Sequence, residues 1–285
     1  MLLWLIPLAL ALDPSKVKHA INCGGAEIVT SDGVRYNSDS GFSAGIASDH
    51  GKSSSIKLTP TPELYQTERY ATGDFTYSVP ISEAGNYVLI LKFSEVWFTS
   101  EQQKIFSIQI GDQTVVEFLD IFSRVGIFAA YDEFVPFVYQ KGKVLIDGSE
   151  VKNAVKGEKL IIRFVKTDFD NPKINAIVLL KGSLDDTNYA QQKKFLQGLK
   201  KEKEEEEKRF ETKKPAKVYE DDYDFEDPIV ENEIFIEENH SLLGILSSIP
   251  ALIIISLVLV LGVAACIPSK PDKPAPAAAQ PKKRN

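Results

Sequence analysis

The sequence is poor in the residues from which structural cross-links and metal centres are built. Of its 285 residues, two are cysteine and three are histidine. Cys266 falls inside a long apolar run, far along the chain from Cys23, so we expect no internal disulfide. The histidines, at positions 19, 50 and 240, lack the spacing of a zinc site. We therefore expect neither a metal nor a cofactor, and a fold held together by burial alone.

Several sequence signatures of enzymes and of nucleic-acid-binding proteins are also missing. The chain has no Gly-x-Ser-x-Gly elbow, no phosphate-binding loop and no dinucleotide fingerprint. Its net charge is −7, and no basic face for nucleic acid stands out. Carboxylates are plentiful, so a glycosidase pair drawn from Glu95, Asp120 and Asp170 remains an open alternative.

What the chain does have is an uncharged apolar run at 242–267, longer than the roughly 20 residues that cross a bilayer. Basic residues follow it, which predicts that 268–285 is a basic tail in the cytosol. Residues 1–11 are apolar and end in small residues, as a cleaved signal peptide does, although no basic residue precedes them. Together these features predict a single-pass type I membrane protein whose N-terminal domain lies in a lumen.

Two short motifs near the C-terminus bear on localisation. Lys282 and Lys283 occupy the fourth and third positions from the end of the chain and resemble a dilysine retrieval signal. They predict the endoplasmic reticulum membrane, although a basic flank of the span is the simpler alternative. Asn239 begins a glycosylation sequon, but it abuts the apolar run, so we expect poor access for modification.

Residues 183–241 form a charged and largely acidic segment between the domain and the predicted span. We expect an exposed helix over 191–209, because charges of both signs are interspersed there. The acidic runs at 204–207 and 220–227 have too little apolar surface to fold. This segment is predicted to be a lumenal stalk, and loose Ca²⁺ binding by its acidic runs is an alternative.

Residues 13–182 have the pattern of an all-β domain. Short runs rich in Val, Ile, Phe and Tyr are separated by turn residues, and no helices alternate with them, which favours a β-sandwich or jelly roll. We expect Val88, Phe93, Phe106 and Phe164 in the core and, because of Pro136, an edge strand or bulge. The predicted strands cover 75–80, 86–94, 105–110, 114–118, 134–139, 144–146, 159–165 and 174–180.

Aromatic and polar residues cluster where several of these strands should end, at 64–70, 95–98 and 168–172. A pyranose ring presents C–H groups that pack on an aromatic face, while its hydroxyls bond to carboxylates. Such a mixture on loops indicates sugar recognition. For each aromatic residue alone, core packing is the alternative, and Asp170-Asn171-Pro172 alone also fits a turn.

Five blocks of residues stand out along the chain, at 21–25, 65–70, 91–98, 119–126 and 169–173. In this order they resemble the malectin family of carbohydrate-binding proteins. The resemblance implies a β-sandwich that binds high-mannose N-glycans ending in α-linked diglucose, similar to nigerose or maltose, without catalysis. It also implies nascent glycoproteins as partners, early glycoprotein quality control as the role, and proximity to the oligosaccharyltransferase machinery.

The resemblance also implies the residues that contact sugar. Tyr70, Trp97, Phe98 and Asp170 occupy the positions of the family's contacts, with Trp97 replacing a tyrosine of the family. His50 stands where the family has another tyrosine, which is expected to alter affinity or linkage preference. We expect Asn22, Gly24 and Gly25 to shape a loop beside the site rather than to contact sugar, because the two glycines permit backbone geometry that other residues resist.

Two other functional classes remain open. One is a glycosidase that uses Glu95 or Asp170, which would release glucose from a glycan substrate. The other is a protein-interaction module whose aromatic residues belong to the core. The emission of Trp97 distinguishes the second class, because a buried indole would not respond to maltose or nigerose.

Overall fold

A computed structural model describes residues 12–212. The predicted signal peptide (1–11), the sequon at Asn239, the span (242–267) and the basic tail with Lys282 and Lys283 lie outside the described residues. Within 12–212, no helix combines the length and the apolar character that crossing a membrane requires.

The described part of the chain is built mainly from short strands, with two α-helices and three 3₁₀ turns. This confirms the predicted all-β class. The 3₁₀ turns are His50–Ser53, Pro62–Tyr65 and Leu184–Asp186. The strands and helices are β1 (Val17–Asn22), β2 (Ile28–Val29), β3 (Arg35–Ser38), β4 (Ile46–Ser48), β5 (Glu68–Tyr70), β6 (Phe75–Pro80), β7 (Gly85–Phe93), β8 (Phe106–Ile110), β9 (Gln113–Leu119), α1 (Ile121–Val125), β10 (Tyr131–Gln140), β11 (Lys143–Ile146), β12 (Ser149–Val151), β13 (Lys159–Lys166), β14 (Lys173–Ile174), β15 (Ala176–Lys181) and α2 (Tyr189–Thr212).

Three sheets organise these strands. The largest has the order β12-β11-β10-β7-β15-β1-β3-β2, the second β6-β13-β8-β9 and the smallest β14-β5-β4. At the centre of the largest sheet, Ile90 of β7 lies opposite Phe134 of β10 on one side and Val178 of β15 on the other. Both pairings are antiparallel. Every second residue of β7 lies on the same face, because side chains alternate along a strand.

The main core contains the inward faces of the two larger sheets. The rings of Phe75 and Phe164 stack there at 4.8 Å, and those of Phe93 and Phe106 lie 5.8 Å apart. Full burial of such a side chain stabilises the fold by about 1.5–3 kcal/mol. Phe93, Phe106 and Phe164 are thus core residues, as predicted.

A second apolar cluster covers the opposite face of the largest sheet. Val88 belongs to it, together with Ile90, Tyr36 and Tyr65. The predicted burial of Val88 is confirmed, but its partners lie outside the sandwich core, because residues 88 and 89 of one strand point to opposite faces.

Two strand predictions need correction. Pro136 does not lie in an edge strand, since β10 is between β7 and β11. It is tolerated because β11 pairs only with Val138–Gln140, so no second strand needs a donor at Pro136. The predicted strand over 174–180 is divided at Asn175, whose side chain donates to the carbonyls of Tyr65 (3.0 Å) and Thr67 (2.8 Å).

The helix predicted over 191–209 is confirmed as part of α2, but its first turns are packed rather than exposed. The Gln192 side chain accepts a hydrogen bond from the backbone N–H of Asp132 (3.0 Å) and donates one to its carbonyl (2.6 Å). Tyr189 packs against Phe134 at 5.7 Å between ring centroids. The start of α2 is therefore fixed to β10.

Candidate functional site

The smallest sheet brings three of the predicted site segments into one place. Tyr70 at the end of β5 lies opposite Ile46 of β4 and Lys173 of β14. His50 follows β4 by two residues, and Asp170 precedes β14 by three. Tyr70, which is half-buried, therefore lies between the segments that carry His50 and Asp170.

The lysine of a buried ion pair within this sheet also bonds to the residue that follows β7. Glu68 shares a face of β5 with Tyr70, because side chains two residues apart point the same way. The fully buried ammonium of Lys173 contacts the Glu68 carboxylate and the backbone carbonyl of Ser94. This contact fixes the sheet next to the segment that starts at Glu95.

The Glu95 side chain shapes the turn that follows β7. Its Oε1 accepts hydrogen bonds from the backbone N–H groups of Val96 (3.0 Å), Trp97 (2.9 Å) and Phe98 (3.2 Å). Three donors on one oxygen hold these residues in a tight loop around the carboxylate. The turn directs Trp97 outward, with 65% of its surface exposed.

The electrostatic surroundings keep the Glu95 carboxyl ionised. Burial acts to raise its pKa, but the ammonium groups of Lys173 and Lys104 and the backbone donors outweigh burial. The pKa of Glu95 consequently lies below its ordinary value. A carboxylate held in this way is suited to shaping a loop.

Lys104 connects Phe98 and Asp170, and sequence reasoning did not identify it. Its buried ammonium lies 3.4 Å from Asp170 Oδ2, 3.7 Å from Glu95 Oε2 and 5.3 Å from the centroid of the Phe98 ring. The Asp170 side chain remains 36% exposed, so its carboxylate is both anchored and accessible. A lone lysine in the polar stretch 101–104 gives no local signal for this role.

His50 and Trp97 form a second contact within the predicted set. Their ring centroids are 4.9 Å apart, with the planes tilted by 58°. His50 is itself exposed at the start of its 3₁₀ turn. An exposed indole supported by a neighbouring ring offers an apolar face to a ligand from solvent.

The loop after β1 is shaped by its close approach to β5. Asn22 donates to the carbonyl of Ala26 (2.9 Å) and accepts a hydrogen bond from the Thr67 hydroxyl (2.9 Å). Gly24 has φ of +72°, and a Cβ there would lie 2.0 Å from the Glu68 carbonyl oxygen. Asn22, Gly24 and Gly25 also line a polar cleft of 410 Å³ beside Asp49. This geometry is consistent with the predicted loop-shaping role, which stays a prediction.

Asp120 has a local structural role. Its Oδ1 accepts a hydrogen bond from the backbone N–H of Ser123 (2.9 Å), which caps α1, and its Oδ2 accepts one from Gln102 (2.6 Å). Both oxygens of this carboxylate therefore already bond to backbone groups.

Comparison with known proteins identifies the family. The model of the malectin domain matches residues 17–177. Malectin-B of Xenopus laevis is 45% identical over 175 residues, covering 60% of this chain and 62% of that protein. Malectin of Mus musculus is 45% identical over 177 residues (61% and 60%), and malectin of Homo sapiens 44% over 177 residues (61% and 59%). The match spans about three fifths of the length of these relatives. Because the domain model covers more than half of the sequence, this chain belongs to the malectin family.

Proposed function

We propose that the chain is a non-catalytic lectin of the endoplasmic reticulum lumen. Its ligand would be a high-mannose N-glycan ending in α-linked diglucose, related to nigerose or maltose, and its role would be in early glycoprotein processing and quality control. The observation that carries the proposal is an exposed indole, Trp97, together with an accessible carboxylate, Asp170. Trp97 shares a short turn with Phe98, and Lys104 contacts both the Phe98 ring and the Asp170 carboxylate.

This arrangement matches the two kinds of surface on a glucose unit. The C–H face of a pyranose would pack on Trp97, with His50 supporting the indole edge. The Asp170 carboxylate would accept hydrogen bonds from two neighbouring hydroxyls, each contributing about 1.5–3 kcal/mol as a bond to a charged group. Tyr70 would border the site from β5. Since Trp97 is largely in solvent, single-site affinity is expected to be modest.

The state of the carboxylates supports binding rather than hydrolysis. A glycosidase needs one carboxyl group with a raised pKa that can act as general acid. Glu95 has the opposite tendency, because its neighbours favour the charged form. Asp120 already accepts two backbone hydrogen bonds. Neither is therefore suited to protonate a leaving group.

The proposed location and partners come from sequence features. The apolar run at 242–267, the charge bias after it and the terminal Lys282 and Lys283 support a type I protein of the endoplasmic reticulum membrane. There the domain would meet nascent glycoproteins, near the oligosaccharyltransferase machinery. Attachment to a membrane would raise the effective concentration of a weak site near its glycans.

A fluorescence titration of the purified full-length protein tests the binding proposal. Maltose and nigerose are expected to change the Trp97 emission saturably, whereas the β-linked disaccharide cellobiose serves as the control. The Trp97→Phe variant is the control for the responding indole, because the other tryptophan of the sequence, Trp4, lies in the predicted signal peptide. No response to either α-linked sugar would refute lectin function and favour a protein-interaction module, and release of free glucose would indicate an enzyme.

A further inference from the structure

A separate cavity of 370 Å³ lies against the face of the largest sheet that points away from the sandwich core. Lys92 reaches it from β7, on the same face as Val88 and Ile90. The start of α2 forms part of its wall through Asn188 and Gln192. Its volume falls in the range of roughly 300–1,000 Å³ that small-molecule sites occupy.

Three polar side chains at this cavity form a buried network. The Lys92 ammonium lies 2.8 Å from Asp132 Oδ2 and 3.2 Å from the Tyr65 hydroxyl, and that hydroxyl donates to Asp132 Oδ1 at 2.6 Å. Burial and the Asp132 carboxylate raise the pKa of Tyr65, so the phenol keeps the proton it donates. Both Asp132 oxygens are therefore used within the network.

Lys92 still has capacity for another hydrogen bond. An ammonium group carries three N–H donors, and the described residues provide Lys92 with two acceptors. A buried charged donor without an acceptor is costly, so native structures supply one from the protein, from water or from a ligand. Because Lys92 lines the cavity, an acceptor inside the cavity would satisfy this need.

The charges around the cavity restrict which molecule can supply that acceptor. Asp32 lines it together with Asp132 and Lys92, so the lining has an excess of one negative charge. An anion would be repelled by that excess. A cation would approach the Lys92 ammonium without offering it an acceptor. A neutral molecule avoids both penalties.

The remaining lining favours a hydroxylated ligand. Thr59 and Thr61 contribute hydroxyl groups and Asn188 an amide, whereas Leu58 and Pro60 offer apolar surface to C–H groups. Hydroxyl groups both donate and accept, so they can bond to Lys92 and to the carboxylates in turn. We infer that this cavity is a second binding site, which takes a neutral polyhydroxylated molecule of monosaccharide size and hydrogen-bonds it to Lys92.

The test uses full-length protein with Asp170→Ala, which removes the key acceptor of the proposed lectin site, and with ¹³C-labelled alanine methyl groups. Ala130 lines the cavity and reports occupancy. D-mannose, D-glucose and glycerol are titrated separately. We expect a saturable shift of the Ala130 methyl resonance with at least one of the two sugars.

Rim variants show whether the shift arises in the cavity. Leu58→Trp is expected to abolish it by filling the opening, and the matched Leu58→Ala variant is expected to retain it. Neither change touches the buried network, so both variants should fold. Lys92→Met should also abolish the shift, but it leaves the Asp132 carboxylate without its cation and is interpreted only if the variant is folded.

Three outcomes would contradict the inference. Absence of a saturable shift with all three probes would mean that the cavity holds water only, which overturns the inference. Saturation by glycerol alone would overturn the monosaccharide size, and a shift that persists in Leu58→Trp would place the binding elsewhere. Failure of the lectin proposal is recognised separately, by the Trp97 response of the unsubstituted protein to maltose.

Discussion

Replacing Lys104 with methionine should weaken sugar binding through Asp170, although we do not expect Lys104 itself to contact sugar. The substitution keeps a long apolar stem but removes the charge that lies 3.4 Å from Asp170 and 3.7 Å from Glu95. Asp170 would lose the contact that orients its carboxylate, and Glu95 would lose one of two neighbouring cations. The variant therefore affects both affinity and stability, and the two effects can be separated.

The expected magnitudes follow from these contacts. Removing one partner of a buried pair costs about 3–5 kcal/mol. Because Glu95 retains three backbone donors and Lys173, we expect a loss of about 2–3 kcal/mol in the free energy of unfolding. Misplacing a charged acceptor that bonds to sugar forfeits about 1.5–3 kcal/mol. That corresponds to roughly ten- to hundredfold weaker binding, at 1.4 kcal/mol per factor of ten.

Calorimetric titration with maltose, at a temperature where every variant is folded, measures the affinity. Chemical denaturation measures the stability. Lys104→Arg keeps the charge and should restore most of both quantities, which a purely apolar packing role would not predict. The double variant with Asp170→Asn should show a coupling of at least about 0.5 kcal/mol in binding, as expected for residues in contact. Wild-type affinity in folded Lys104→Met, or additive losses in the double variant, would refute the positioning role.

Four further outcomes are expected. Asp170→Ala should abolish detectable maltose binding while changing the unfolding free energy by less than about 0.5–1 kcal/mol, since its side chain is partly exposed; intact binding by calorimetry would remove the site assignment. Trp97→Ala should weaken maltose binding by about 1–2 kcal/mol, roughly five- to thirtyfold. The melting temperature should not change, because an exposed ring contributes to ligand binding and little to folding stability; equal affinity would contradict stacking. The depressed pKa of Glu95 means that its contribution to stability is present above its ordinary pKa and is lost as pH falls through the folded-state pKa. Glu95→Gln should therefore flatten the acid limb of denaturation curves measured below about pH 4.5, and an unchanged slope would argue against this assignment. Lys282→Ser combined with Lys283→Ser should bring the protein to the cell surface, as read by surface labelling, whereas continued retention would indicate that a lumenal partner holds it.

The strands that could be predicted are those whose local pattern matches their environment. β6 and β13 alternate between buried and partly exposed residues, and their bounds agree closely with the prediction. β7 is apolar along most of its length because both faces of the largest sheet are covered. In these segments the residue pattern alone predicts which positions are buried.

Other strands depend on contacts between distant residues. β5 consists of three polar or charged residues and still forms the middle of the smallest sheet. Glu68 is paired with Lys173, while the Arg69 guanidinium meets Asp39 at 2.7 Å and lies over the Phe42 ring. No local pattern reports such pairs. β1 was missed for a similar reason, because polar residues interrupt a strand that is placed by its pairing with β15.

The candidate site divides in the same way. Trp97 and Asp170 lie in segments whose mixture of aromatic and polar residues predicts a binding role from the sequence. The role of Lys104 emerges only when the turn after β7 is brought next to the segment that precedes β14. The loop-forming role of Glu95 is local, but a lone glutamate after a strand does not report its bonds to the next three backbone N–H groups. A side chain that acts on another residue, rather than on the ligand, leaves little trace in composition.

The buried thiol of Cys23 has a consequence for how the domain behaves among thiol–disulfide exchange enzymes. It is fully buried, and burial raises its pKa, so little nucleophilic thiolate is available. Oxidation therefore contributes nothing to the packing of the two sheets, and the domain is expected to mature equally well in a reducing bacterial cytoplasm. In an oxidising lumen, it would stay beside clients that are still rearranging their disulfides without becoming covalently trapped by them.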